Sequence, residues 1–214
     1  MSLLGSGCVF LTVFLFHFIQ PDLNPLSRLV SEYALGKQGW ILAVALMSFA
    51  VSALALACAL AMTSNAIRLR IGVVLLVIWG LCAILAALFH TDPIPPKGPL
   101  SLSGTIHTTA ANIGFFSLTG AILICCGHLR ALFGRSVWAR VITWLALASV
   151  ISLILFLIAF VVAVTFGVLV HGLFERLVIA VDLAWLSTVA LLLLSLPNFP
   201  KGTPIAILDA RRHQ

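Results

Sequence analysis

Six long apolar stretches dominate this chain and leave it few ways to fold. They run approximately over residues 3–19, 40–62, 71–89, 108–129, 141–164 and 171–196. A helix needs about 20 mostly apolar residues, within a range of roughly 17–25, to cross the hydrocarbon of a bilayer. Each stretch meets that requirement. Inside the hydrocarbon the backbone must satisfy its own hydrogen bonds, so such segments form helices. The expected fold is therefore all-α: a polytopic bundle of six transmembrane helices, with residues 1–214 as a single transmembrane domain. Composition agrees, since 12 basic and 6 acidic side chains in 214 residues cannot cover a soluble surface. At 62% hydrophobic, with a mean hydropathy of +1.21, the chain excludes a water-soluble enzyme or a disordered regulator. The net charge of +6 does not point to nucleic acid, because the basic residues are scattered in short gaps between apolar runs.

The fifth and sixth spans are the hardest to separate, because no charge interrupts residues 141–174. Thr165-Phe166-Gly167 is the expected turn: glycine lets the chain reverse, and β-branched threonine is a weak helix former. The first span lacks a basic leading region and a small-residue cleavage site, so it is expected to stay as a helix. Orientation follows from lysine and arginine. The even-numbered gaps and the tail hold Arg68, Arg70, Arg130, Arg135, Arg140, Lys201, Arg211 and Arg212; the odd-numbered gaps hold Arg28, Lys37, Lys97 and Arg176. The positive-inside rule then puts both termini in the cytoplasm.

Acids and histidines gather on the other side. Asp22, Glu32, Asp92, Glu175 and Asp182 fall on the outer side of this topology, with only Asp209 inside. His17, His90, His107 and His171 sit at outer span ends, while His128 and His213 are inner. The sixth span concentrates this pattern. At 3.6 residues per turn, His171 lies within about 40° of Glu175 and about 20° of Asp182, so the three share one stripe. Asp182 lies roughly 9 Å deeper than Arg176. A carboxyl at that depth costs a few kcal/mol unless it is paired or wet, which makes it a candidate functional group.

Two outer gaps add polar residues. In FHTDPIPPKGPLSLSGTIH, prolines stiffen a loop that carries His90 and Asp92, and Ser103 precedes His107 by four residues. Imidazole and carboxylate together suit zinc or general acid–base work. In QPDLNPLSRLVSEYALGKQG, Asn24 is a good N-cap, Pro25 fits the first helical position and Gly36 a stop. A short helix is expected there, lying on the outer interface or folding back over the bundle, and presenting Ser31, Glu32 and Tyr33 near the outer span mouths. The five cysteines fall within spans and suit buried thiols rather than a disulfide framework. Asn112, polar within a span, suits an interhelical hydrogen bond.

The pieces HFIQPDLNPLSRLVSEYALGKQGW, LFHTDP, the histidine at 107 and GLFERLVIAVDLAWL resemble, in order and spacing across nearly the whole chain, the bacterial membrane family called domain of unknown function 998. The resemblance implies a multi-span helical protein of prokaryotic origin, in the cytoplasmic membrane, and implies no activity. The chain is also similar in residue types to the alkaline ceramidase and adiponectin-receptor-like membrane hydrolases, which use serine, aspartate and three histidines around zinc. Ser103, His107, Asp92 and His171 match by type, and Ser103 and His107 by local spacing. The chain departs from that pattern in lacking a late H-x-x-x-H and a seventh span, so His171-x-x-x-Glu175 would have to substitute.

Three functions follow. The first is an outward-facing, metal-assisted hydrolase of a lipid or amphiphile. Its metal, zinc by donor type, would be held by some of His90, Asp92, His107, His171 and Glu175, with Asp182, Ser103 and Glu32 as catalytic candidates. The second is a small proton-coupled transporter working through Asp182. The third is a non-catalytic sensor or assembly protein. A bis-histidine haem site, with His17 or His107 facing His171, is a further option. The bilayer is the one certain partner of such a chain; oligomeric state is not readable from its sequence.

Overall fold

At Ser101 and Ser136, capping chemistry rather than hydropathy sets where a helix begins. The computed structural model describes residues 2–94 and 98–196, and among these the regular structure is entirely helical. The order is α1 (Ser2–Ile19), a 3₁₀ helix (Val30–Leu35), α2 (Gly39–Ala61), α3 (Ile67–Leu88), α4 (Leu102–Phe133), α5 (Val137–Phe166) and α6 (His171–Leu194). All six α-helices are long and apolar enough to cross a membrane. Lys97, Lys201, Asp209, Arg211, Arg212 and His213, which enter the charge pattern above, lie outside the described residues.

The expected spans correspond to these helices one for one, but α4 and α5 are longer than their apolar stretches. Ser101 caps α4, its Oγ accepting the Gly104 N–H at 2.9 Å, and Ser136 caps α5 through the Ala139 N–H at 3.1 Å. With 32 and 30 residues the two helices reach about 48 and 45 Å, well beyond the hydrocarbon's thickness of about 30 Å. The turn between α5 and α6 also starts later than expected. Thr165 and Phe166 stay helical, and Gly167 ends α5 in the left-handed conformation, φ 70°, with its N–H returning to Ala163 O.

The first connection departs further from expectation. Asn24 does start a turn: its Oδ1 accepts the Leu26 N–H at 2.9 Å, and its carbonyl accepts the Arg28 N–H. Helix forms only from Val30, as one 3₁₀ segment, and of the two expected courses it takes the one that folds back over the bundle. Tyr33 is fully buried and stacks on Phe16 of α1 with ring centroids 4.7 Å apart.

The chain runs up and down, so the first, third and fifth connections share one end of the bundle. Contacts among them make that end a closed cap, described below; we call it the loop-rich end. Small residues allow the helices to pack tightly. A side chain at Gly114 of α4 would strike the Trp79 ring of α3 at 2.8 Å, and Ala53, Ala57 and Ala121 are almost wholly buried. Trp40, Trp138 and Trp144 are exposed near helix ends, as an aromatic belt requires.

Candidate functional site

Below the loop-rich end the helices enclose a cavity of about 200 Å³. All six helices contribute to its wall, together with Leu29–Ser31 of the first connection and Thr91 and Ile94 of the third. An engineered cavity of about 150 Å³ holds a benzene, so this one suits a short aliphatic or ring-sized group.

Most of the wall is apolar, and its rings form a continuous chain. Phe49 of α2 meets Trp79 of α3 edge-on at 5.1 Å; Trp79 meets Phe115 of α4 at 6.2 Å. Phe115 meets Phe156 of α5 at 5.7 Å, Phe156 meets Phe160 at 6.3 Å, and Phe160 meets His171 of α6 at 6.0 Å. Sequence reasoning missed this wall. Five scattered aromatics raise hydropathy no more than leucines do, and only the fold brings them together.

Two carboxyl groups interrupt the apolar lining. Glu175 and Asp182 lie on the inward stripe of α6, as the helical spacing predicts, and both line the cavity. Seven residues separate them, about 10 Å along the helix. Glu175 Oε2 accepts the Val30 N–H at 2.5 Å, which pins the 3₁₀ helix to α6. Asp182 is deeper and 1% exposed. Its Oδ1 accepts a hydrogen bond from Ser149 Oγ of α5 at 2.6 Å, and Ser149 Oγ lies 3.4 Å from Thr119 Oγ1 of α4. Asp182 Oδ2 is buried with no hydrogen-bond partner. Among the described residues, no lysine or arginine forms an ion pair with either carboxyl.

His107 faces the same cavity from α4. Its Nδ1 lies 2.8 Å from Phe89 O and 3.2 Å from Ala86 O. Carbonyls only accept, so Nδ1 carries a proton; in the neutral ring this leaves the lone pair on Nε2. His171 is buried on the α6 stripe, with neither ring nitrogen hydrogen-bonded.

The remaining candidates do a different job. Glu32, 3% exposed, has both oxygens engaged: Oε1 accepts from Arg28 Nη1 at 3.1 Å and from the Ile94 N–H at 3.2 Å, and Oε2 from the Leu29 N–H at 2.9 Å. It ties the first connection to the third. Asp92 accepts from the Ser101 N–H at 2.7 Å and Ser101 Oγ at 2.9 Å, fixing the loop to the α4 cap. Ser103 Oγ donates to His90 O at 2.9 Å instead of meeting His107. Arg176 completes the cap: Nη1 donates to Pro25 O, Arg28 O and Gly172 O, and Nη2 to Tyr33 Oη at 3.0 Å. His17 bonds Phe14 O within its own helix at 3.2 Å.

The expected metal set of His90, Asp92, His107, His171 and Glu175 does not assemble. Asp92 and Glu175 each hold backbone or hydroxyl donors in separate loop ties, and Ser103 engages the backbone of His90. Among the described residues no group of three or more His, Cys, Asp or Glu side chains is placed to hold a metal ion. What the fold does bring together is Glu175, Asp182 and His107, around the aromatic wall.

Residues 3–192 match the family described as Protein of unknown function (DUF998), and the chain belongs to that family. No curated protein and no solved structure matches the chain.

Proposed function

We propose that this member of the DUF998 family is an intramembrane binding protein for a small amphiphile. The ligand's apolar body fills the aromatic cavity, and its polar group, a hydrogen-bond donor such as an ammonium or hydroxyl, meets the Asp182 carboxyl. One observation carries the reading: Asp182 lines an apolar cavity, and its Oδ2 is buried with no partner among the described residues. An isolated acid at the centre of a membrane helix costs about 2.5–3.5 kcal/mol. A chain that keeps one there, and supplies a donor to only one of its oxygens, leaves the other for something that enters. The lone pair of His107 Nε2 and the carboxyl of Glu175 are further acceptors on the same wall. Such acceptor-rich, otherwise apolar surroundings favour donor head groups over phosphates or carboxylates.

The unequal distribution of arginine supports both termini lying in the cytoplasm of a prokaryotic cell, with the cavity in the outer leaflet of its cytoplasmic membrane.

The test is extraction of the purified protein followed by mass spectrometry of what it releases. A stoichiometric amphiphile is expected from the wild type. In Asp182→Leu its occupancy should fall about tenfold or more, since a hydrogen bond to a charged group contributes about 1.5–3 kcal/mol. Thermal unfolding checks that the variant is folded. Release of bulk lipid alone from the wild type, or unchanged occupancy in a folded Asp182→Leu, would overturn the proposal.

A further inference from the structure

We propose that the cavity opens sideways into the bilayer through a portal between α4 and α5, and that its occupant is an amphiphile drawn directly from the membrane, polar donor on Asp182 and apolar chain along the aromatic rings. This rests on the binding reading above and adds the route and the source of the ligand.

The two helices are antiparallel and joined by a tight connection at the end opposite the loop-rich cap. Near that connection they are closely bonded. Cys126 Sγ lies 3.8 Å from Ile142 O and from Thr143 Oγ1, and further along Thr119 pairs with Ser149 at 3.4 Å. Thr119 and Cys126 are buried, as the faces of a packed pair must be. The same stripe of α4 continues through Phe115, Asn112 and Thr108 at helical spacing. The register that pairs 119 with 149 and 126 with 142 would set Asn112 opposite Phe156 and Thr108 opposite Phe160. Beyond the Phe115–Phe156 pair this packing thins. Phe115 is half-buried, and Asn112 and Thr108 are exposed although both line the cavity. Phe160, on the facing helix, is also exposed and also lines it. Asn112 was expected to bond across helices; it stands instead at the edge of an opening.

The opening lies within the hydrocarbon. Nearer the loop-rich end than Phe160, α5 still presents Val161, Val164 and Phe166, which are 61%, 74% and 74% exposed. No charged residue interrupts α5 after Arg140, and Phe160 lies within the apolar run of 141–164 that is long enough to span, so the gap there faces acyl chains. Among the described residues, the loop-rich end is tied together across its connections. Glu32 ties Ile94 to Leu29, Arg176 holds the carbonyls of Pro25 and Arg28, and Glu175 holds Val30. A polar head entering between Asn112 and Phe160, where the exposed Asn112 amide and Thr108 hydroxyl can meet it, passes the Phe115–Phe156 pair and reaches Asp182, whose partner Ser149 lies two turns along α5 from Phe156. The aromatic rings then line the aliphatic chain that follows it.

Trp79 reports on the cavity from within. Its contribution to fluorescence is the difference between the wild type and Trp79→Phe. The protein is reconstituted in vesicles of phosphatidylcholine carrying bromine at mid-chain, and separately titrated with acrylamide in unbrominated vesicles. The portal predicts that bromolipid quenches the Trp79 component and acrylamide does not. It also predicts that Asn112→Phe and Thr108→Phe each restore the lost Trp79 emission. Both substitutions fall at exposed positions, so a bulky ring there blocks the gap without overfilling the core, and the second stands in if the first fails to fold. An unquenched Trp79, or quenching that neither substitution reduces, would overturn the proposal. Quenching by acrylamide instead would do so too, placing the mouth in water while leaving ligand binding at Asp182 intact. Conversely, lipid access to Trp79 in a protein that releases no bound amphiphile would sink the binding reading and leave the portal standing.

Discussion

Asp182 separates what a residue is from what its surroundings make it. Six acids occur in the chain, and depth alone marks this one from sequence. The fold adds that it has one donor, Ser149 Oγ at 2.6 Å, where two oxygens could accept. Ser149→Ala therefore removes the carboxyl's one hydrogen-bond partner among the described residues. Interhelical hydrogen bonds in membranes average about 0.6 kcal/mol and reach about 1.7, while a stranded buried acceptor costs about 1–3. A loss of about 1–2 kcal/mol is expected, measured by unfolding in mixed micelles. Ser152→Ala is the internal comparison, because Ser152 Oγ bonds only Ser149 O of its own helix and its removal should change stability little. Equal effects of the two substitutions would show that the Asp182 bond contributes nothing of its own. At this scale the sequence was informative about Glu175 and Asp182, because helical periodicity puts them on one stripe. It could not show that Glu32, Asp92 and Ser103 are engaged by loop backbone, because residue type suggests chemistry but only distance reveals partners. Ser149, Trp79 and Phe156 carried no signal; a serine and two aromatics in apolar runs look like any others.

Among the elements, α6 and the first connection depend on each other most. The N-terminus of α6 docks against the turn at residues 25–28: the Leu173 N–H donates to Leu26 O at 3.1 Å, and Arg176 Nη1 donates to two carbonyls of that turn. The approach is close enough that a Cβ at Gly172 would collide with the Arg28 backbone, at 2.8 Å from its carbonyl carbon and 2.9 Å from its nitrogen. Backbone cannot step aside as a flexible side chain can. Gly172→Ala should therefore destabilise by about 1–3 kcal/mol and loosen the cap over the cavity, although alanine favours helix. Gly127 in α4 has open space where its Cβ would go, and Gly127→Ala should be neutral or stabilising by up to about 1 kcal/mol. Thermal unfolding of the pair checks this, and a stable Gly172→Ala would mean that the docking is looser than described. Helix positions were legible from hydropathy, but their ends were not. Apolar runs report the part of a helix that meets lipid, whereas Ser101, Ser136 and Gly167 report where the hydrogen-bond ladder starts and stops. The 3₁₀ helix was legible only in outline, because its inward course is set by Glu175 and Arg176, about 145 residues away in sequence.

For the whole molecule, the charges that orient it fall into two kinds. At the end opposite the loop-rich cap, Arg68, Arg70, Arg130, Arg135 and Arg140 are all exposed, and none of them forms an ion pair among the described residues. At the loop-rich end Arg28 pairs with Glu32, and Arg176 is held by three carbonyls and Tyr33, which leaves Lys37 as an exposed lysine there. A count from sequence weighs all basic residues alike. The fold weights them differently, because a guanidinium folded into the cap serves the structure, while an exposed one at a helix end is drawn to the anionic cytoplasmic leaflet and resists translocation. The contrast between the two ends is sharper than the count implied. Both termini are therefore expected in the cytoplasm and the loop-rich end on the far side. A fluorescent protein fused after residue 214 should fold and fluoresce, and alkaline phosphatase at the same place should be inactive. Alkaline phosphatase inserted between residues 98 and 100, in the third connection, should be active. The opposite pattern would turn the cap and the cavity beneath it toward the inner leaflet, so any amphiphile reaching Asp182 through the side of the bundle would come from cytoplasmic rather than outer lipid.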